Sequence, residues 1–413
     1  MLAHPIADLS PLHRVWRMLP AEPRRRLLAG AVALIGPRTE AHPPAGAEGL
    51  IVAGELSRAS GLGEAARLML AGLRRMGVPC AAVDIGPLLP AHRADLPVIA
   101  AGPIRPSMPL VLHVNPPLLP WVLRRLPRAL TAGRRIIGNW AWELPEAPAD
   151  WTPGARLAHE AWAPSHFAAR SIEALLPGRV RVVSPPIGLV PPRPAPIGRI
   201  GFGLPEGAVI VLASLNLASS AERKNPLGAI AAFRAAFGDR ADRLLLLKLG
   251  YPEHAPDDFA AVASAAAAAP NIRLLTLTLP SAESHALTAA ADIVLSLHRS
   301  EGFGLVPAEA MALGKPVVAT GWSGNMGFMD ETTAAPIRYR LVPARDRRGL
   351  YAGPGSLWAE PDLDHAAAWL RRLADDPGLR ARLGGAARAA IGARLDGAAL
   401  RAALAAPGLA AAA

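Results

Sequence analysis

Residues 293–320, IVLSLHRSEGFGLVPAEAMALGKPVVAT, decide the fold. Ile293 to Leu297 is a short apolar run with the character of a buried strand. It feeds a glycine-bearing turn, Glu301-Gly302-Phe303-Gly304. The spacing predicts a short helix next, with Pro307 near its first position, Gly314 as its stop and Pro316 just beyond. Val317 to Thr320 is a second apolar run, so the segment reads as a β-loop-α-β unit. Glycines let backbone N–H groups approach an anion, and a helix N-terminus adds partial positive charge there. Glu301 and Glu309 bracket the turn. Carboxylates do not bind phosphate, but they accept paired hydrogen bonds from vicinal hydroxyls, as on a ribose or a hexose. The combination describes a pocket for a nucleotide sugar. An ordinary strand–helix connection with two solvated glutamates fits the spacing equally well.

The stretch also resembles the E-x7-E signature of the retaining GT-B glycosyltransferases, in particular family 4, the "group 1" transferases. Their strand, E-G-F-G-L, E-A-M-A and G-K-P-V-V-A pattern matches nearly residue for residue. The resemblance implies that Glu301 contacts hydroxyls of the transferred sugar. Backbone around Gly302, Phe303, Gly304 and Leu305 would hold the sugar and diphosphate, and Glu309 the nucleotide ribose. It implies the GT-B architecture as well: α/β, with two Rossmann-like domains whose parallel sheets face a cleft.

The chain has 413 residues, a comfortable length for two domains. Its 51% hydrophobic and 19% charged residues are those of a globular protein. Cys80 is the single cysteine, so no intrachain disulfide can form and a reducing compartment fits. In GVPCAAVDI it reads as a small buried hydrophobe. No run of about 18 apolar residues and no signal-peptide core is seen, which gives a cytoplasmic expectation.

Charge is uneven. Residues 1–200 carry 23 basic and 13 acidic residues (23 − 13 = +10), whereas 201–413 carry 21 and 20 (21 − 20 = +1). A basic half suits nucleic acid or an anionic membrane. No helix-turn-helix, zinc spacing or aromatic-basic RNA motif accompanies it, which argues against nucleic acid. Residues 12–35, with Trp16 and Arg24, Arg25 and Arg26, are compatible with an interfacial segment on the inner face of a membrane. An extension packed on the first domain is the alternative.

Along the chain, 1–48 reads as that basic, amphipathic extension. A Rossmann-like acceptor domain is expected over 49–190, a linker over 191–199 within the proline-rich stretch 184–198, and a donor domain over 200–395. An Ala-rich tail, 396–413, would cross back onto the first domain. AVASAAAAAP at 261–270 is the one low-complexity patch.

Lys224 follows a strand and precedes a helix in SLNLASSAERKNPLGAIAAF, where a cation beside the diphosphate would neutralise the leaving group. The family carries a basic residue in a comparable R-K-G or R-K-N-P segment. Many members add an arginine directly after the strand; here that place holds Asn216 to Ser220, leaving Arg223, a serine hydroxyl or Lys248 as substitutes. The Gly61-Leu62-Gly63 loop, with Gly61 and Gly63, would face the diphosphate from the first domain, or serve as a plain strand-to-helix turn. The family often sets a histidine at the end of a first-domain strand against the donor sugar. That place holds Trp140 or Trp142 here, and His113 stands one strand earlier, where a core histidine is as good a reading. Glu143 and Trp142 are candidates for the acceptor side, since carboxylates and indoles suit sugars. Trp151, Trp162, Ser165 and His166 are further candidates, with packing the alternative for each tryptophan. The D-x-D pair Asp362 and Asp364 precedes a helix and reads as an N-cap, not a metal site. No cofactor and no metal is expected, only a GDP- or UDP-linked sugar as co-substrate. The expected activity is that of a retaining, metal-independent transferase passing a sugar, mannose by family analogy, to a glycan or lipid-linked acceptor in polysaccharide or O-antigen-type biosynthesis. A non-catalytic scaffold of the same fold that binds nucleotide sugars is the alternative.

Overall fold

The computed structural model describes residues 49–89, 94–106, 108–351, 353 and 355–406, with a few isolated positions before residue 49. The basic segment 12–35 therefore lies outside the described residues but for those positions. Two six-stranded parallel sheets carry the fold. The first contains β1 (Leu50–Gly54), β2 (Cys80–Asp84), β3 (Leu110–Leu112), β4 (Ile136–Asn139), β5 (Glu160–Ala163) and β6 (Val180–Val182), in the order β2-β1-β3-β4-β5-β6. The second contains β7 (Val209–Asn216), β8 (Arg243–Gly250), β9 (Ile272–Leu275), β10 (Ile293–Ser296), β11 (Val317–Thr320) and β12 (Ala335–Ile337), in the order β12-β11-β10-β7-β8-β9. β1, β4 and β11 are buried along their whole length, as strands covered by helices on both faces must be.

The order of strands positions the site. In the second sheet the winding reverses between β7 and β10, which are hydrogen-bonded neighbours. The loops leaving their carboxyl ends part to opposite sides and open a crevice there. Those loops carry Lys224 and Glu301. In the first sheet the reversal falls between β1 and β3, so the loop that leads into helix Gly61–Arg75 opens toward the same cleft.

Several elements were not foreseen. β5 (Glu160–Ala163) begins with a glutamate and has no alternation to mark it. The hairpin of β13 (Tyr339–Pro343) and β14 (Leu357–Pro361) has a largely exposed first strand. Most of the alanine run at 261–270 belongs to helix Pro256–Ala267. Cys80 is only partly buried, on the edge strand β2.

The two halves are tied at their rear. The proline-rich stretch runs between β6 and β7, and its Ile187 is fully buried against Ile391 and Leu395. Gly188 donates to the Leu395 carbonyl at 2.9 Å. The chain then returns: helix Ala398–Leu404 buries Leu400 and Ala403 in the first core, with Leu50, Val52 and Leu73. Among the described residues, no helix is long and apolar enough to cross a membrane.

Candidate active site

The cleft between the halves has a volume of about 580 Å³. Its floor is the loop after β10. Gly304 adopts φ +97°, a left-handed conformation that glycine takes without strain, and helix Leu305–Ala312 starts directly after it. Gly304 offers no side chain to cap that helix, so its first amides stay available to an anion. Gly302, Phe303, Gly304 and Leu305 all line the cleft. The Phe303 ring itself is buried and packs on Phe328, with centroids 5.1 Å apart. Beneath the loop, His298 is fully buried, and burial lowers its pKa below the ordinary histidine value. Its Nε2 lies 3.1 Å from Asn325 Oδ1 and 3.4 Å from the Trp322 carbonyl, both acceptors. We therefore assign the Nε2–H tautomer, with Ser296 Oγ donating to Nδ1 at 3.0 Å.

Lys224 and Arg223 arrive on a one-turn helix, Ala221–Lys224, held between two non-glycine residues at positive φ. Ser220 (φ +88°) accepts from the Arg223 amide, and Asn225 (φ +55°) sends its Nδ2 to the Leu297 carbonyl at 3.0 Å. Such strain persists where the surroundings fix it and is common at functional sites. Lys224 Nζ donates to Glu301 Oε1. Arg223 Nη1 lies 3.3 Å from Glu301 Oε2 and donates to the Ser300 carbonyl at 2.8 Å. Burial alone would raise the Glu301 pKa, but Lys224, Arg223 and His298 outweigh it and hold it at about 2. Burial pulls Lys224 below the ordinary lysine range, with Glu301 opposing. Burial also disfavours charge on Arg223, yet Tyr351, Glu143 and Glu301 raise its pKa above the usual value. Glu301 is thus a permanent anion between two cations.

The first half supplies the opposite wall. Gly61 lines the cleft at the start of its helix, where the Ser60 hydroxyl accepts from the Gly63 amide. Glu143 also lines it, 3.7 Å from Arg223 Nη2, and accepts from Tyr351 Oη at 3.1 Å. Ser165 Oγ donates to the Gly302 carbonyl at 2.6 Å and Ser300 Oγ to the Glu143 carbonyl, so the wall from the first half is fixed to the glycine loop.

Glu309 stands at the far end of the floor, one helix turn beyond the glycine loop. Its Oε1 lies 3.8 Å from His285 Nε2. Lys248, on β8, reaches the same region, and its charge acts on Glu309. Burial raises the Glu309 pKa above its ordinary value, with His285 opposing.

Three of the expected site residues lie elsewhere. Gly63 is off the cleft, and a Cβ there would overlap the Glu55 carbonyl, so its glycine serves packing. Trp142 is a core residue: its ring packs on Trp151 at 4.9 Å, and its indole N–H donates to the Glu146 carbonyl at 2.7 Å. His113 is 1% exposed, and burial lowers its pKa to about 3, so it is a neutral core residue. Trp151 and Trp162 are also core, and His166 is exposed. Asp362 caps helix Leu363–Asp375, accepting from the His365 amide at 2.9 Å. Arg58, Glu64, Tyr251 and His285 line the cleft without having been singled out. They come from loops, a first helical turn and, for His285, the middle of helix Ser281–Ala290, with no local motif, and only the strand order brings them together.

A family model described as "GT4-conflict: Family 4 Glycosyltransferase in conflict systems" matches residues 168–389. No curated protein sequence matches the chain. Among solved structures, the chain is similar to HepE of Anabaena, solved with UDP and glucose, at 15% identity and a TM-score of 0.58, covering 87% of this chain and 98% of that one. It is similar to WaaG, a glycosyltransferase involved in lipopolysaccharide biosynthesis, at 15% identity and a TM-score of 0.53, covering 86% and 98%. It is also similar to TarM of S. aureus, a mutant of which was solved with Fondaparinux, alpha-GlcNAc-glycerol and UDP, at 14% identity and a TM-score of 0.51, covering 72% of this chain. The chain spans only 54% of TarM. At such identities the likeness is one of fold, two α/β halves around a cleft in the GT-B manner.

Proposed function

The chain belongs to the family 4 glycosyltransferases of conflict systems, and from that premise we propose that it moves a sugar from a nucleoside diphosphate to a glycan or lipid-linked acceptor, with retention of configuration and without a metal ion. The observation that carries this reading is that Lys224, Glu301, Gly302 to Leu305 and Glu309 all line one cleft, bringing together a cation suited to a diphosphate and two carboxylates suited to the hydroxyls of a sugar and a ribose. The uncapped helix start at Leu305 and the Lys224 ammonium would take the diphosphate, competing with Glu301 for that cation. Glu301, ionised and clamped, would accept hydroxyls of the sugar. In the step itself the anomeric carbon–oxygen bond to the diphosphate breaks, and the bond to the acceptor oxygen forms on the same face. The acceptor's proton passes to the departing diphosphate. The protein contributes position and charge rather than a nucleophile.

A GDP- or UDP-linked donor and mannose as the sugar follow the resemblance alone. A polysaccharide or O-antigen acceptor draws support from the process named for WaaG. The +10 charge of residues 1–200 supports a cytoplasmic protein working beside an anionic membrane. Thermal unfolding with GDP, UDP and ADP, each with and without EDTA, tests the core of the reading. One nucleotide should raise the melting temperature of the wild type, unaffected by EDTA, and fail to do so for Glu309→Ala. A nucleotide effect that disappears with EDTA would remove the metal-free mechanism, and no effect from any nucleotide would remove the donor pocket.

A further inference from the structure

The far end of the cleft holds an arrangement that the E-x7-E pattern does not call for. Glu309 is nearly enclosed, its side chain 18% exposed, and the nearest cationic group is His285 Nε2, 3.8 Å from Oε1, itself only 13% exposed. That distance is within ion-pair range but too long for a hydrogen bond. The contact can therefore give way slightly when the carboxylate takes up a ligand. Lys248 stands below on β8, and among the described residues no hydrogen bond or ion pair engages its ammonium. Glu64 faces the pair from helix Gly61–Arg75, where Arg67 Nη2 neutralises it at 2.6 Å. The Arg193 backbone also hydrogen-bonds His285, which raises its pKa. Two carboxylates thus meet two cations and an imidazole at the far end of the cleft, where Glu64, Arg67, His285 and Glu309 are each less than a fifth exposed.

A buried carboxylate with no counter-charge takes up a proton and loses the second acceptor oxygen that a vicinal diol needs. We propose that His285, with Lys248 behind it, is the positioning residue for Glu309, balancing its charge and orienting it for the 2′- and 3′-hydroxyls of a nucleoside diphosphate. This rests on the donor-pocket reading above. The titrations run in the required sense. Burial alone would lower the His285 pKa, but Glu309 and Glu64 raise it above 6.5, while burial raises Glu309 above 4.5. The pair is charged in the pH range where Glu309 is ionised and His285 is still protonated. Below that range Glu309 is protonated, and above it His285 is neutral, so affinity for the nucleotide falls on both sides.

The experiment is calorimetric titration of UDP, GDP and ADP from pH 5 to 9 on the wild type, His285→Ala, His285→Lys and Glu309→Ala. The wild type should bind with a bell-shaped dependence. His285→Ala should bind about tenfold more weakly at pH 7, with its acid limb moved to higher pH, the size expected for losing a charged partner. His285→Lys should restore affinity to within about threefold and abolish the alkaline limb, because lysine stays charged throughout. A role in packing alone would weaken both variants without moving either limb, and that result overturns the proposal, as does wild-type affinity in His285→Ala. If Glu309→Ala binds as tightly as the wild type, or if no nucleotide binds the wild type, the donor-pocket reading itself fails and takes this inference with it.

Discussion

At the scale of single residues, the site is governed by how Glu301 is kept charged. Its carboxylate is 12% exposed and is shared by Lys224 and Arg223, the latter 3% exposed. Replacing it with glutamine leaves two buried cations facing one another, and breaking a buried pair costs about 3–5 kcal/mol. Glu301→Gln should therefore lower stability by that order in urea unfolding as well as remove activity. A loss below about 1 kcal/mol would show the three groups to be well hydrated. The same pairing sets a pH dependence. The folded-state pKa of Glu301 is about 2 against an ordinary 4.5, so its contribution is complete above 4.5 and is lost as pH falls toward 2. The melting temperatures of wild type and Glu301→Gln should converge over that interval and stay apart at neutral pH.

At the scale of elements, the glycine loop shows why some of the site could be read from sequence and some could not. Gly304 is required twice over. It takes φ +97°, and a Cβ there would lie 3.2 Å from the Cβ of Asn325, whose amide holds His298 and the Thr320 carbonyl. Gly304→Ala should cost roughly 1–2 kcal/mol from the left-handed backbone alone. It should weaken nucleotide binding further, because the helix start at Leu305 moves with it. Paired melting and titration measurements would separate the two effects. That loop was legible because backbone demands are written locally, as glycine at fixed spacing. Strands such as Val317–Thr320 and helices such as Pro226–Phe237 were legible for a related reason: apolar runs and terminal prolines are local signals. Trp142 was misplaced because an indole serves a sugar face and a protein core equally well, and only the neighbouring Trp151 and Tyr351 decide. His285 could not be read at all. Its meaning comes from Glu309, which lies on another helix, and no spacing in the sequence links them.

At the scale of the whole molecule, the helix Ala398–Leu404 decides how the two halves are coupled. Ala398–Leu404 leaves the second half and lays Leu400, fully buried, against the first core. The interdomain stretch passes beside it, with the Gly188 amide on the Leu395 carbonyl. Two crossings at the rear therefore tie the halves, while the front is bridged by side chains, Tyr251 to Asp95 and Ser281 to Glu64 at 3.2 Å. A cleft that must admit a donor can open only by releasing contacts at the front, since those at the rear are apolar and continuous. Removing residues 396–413 should uncover the face of the first sheet that carries Leu50 and Val52. Each buried leucine or valine contributes about 1.5–3 kcal/mol, so the first half should become the weaker one. Calorimetry on the truncated chain should then resolve two unfolding transitions in place of one. Nucleotide should shift only the later transition, because the groups proposed to hold the ribose and diphosphate, Glu309, Lys224 and the helix start at Leu305, belong to the second half. A single transition at the wild-type temperature would mean that the proline-rich stretch alone couples the halves and that the returning helix is dispensable.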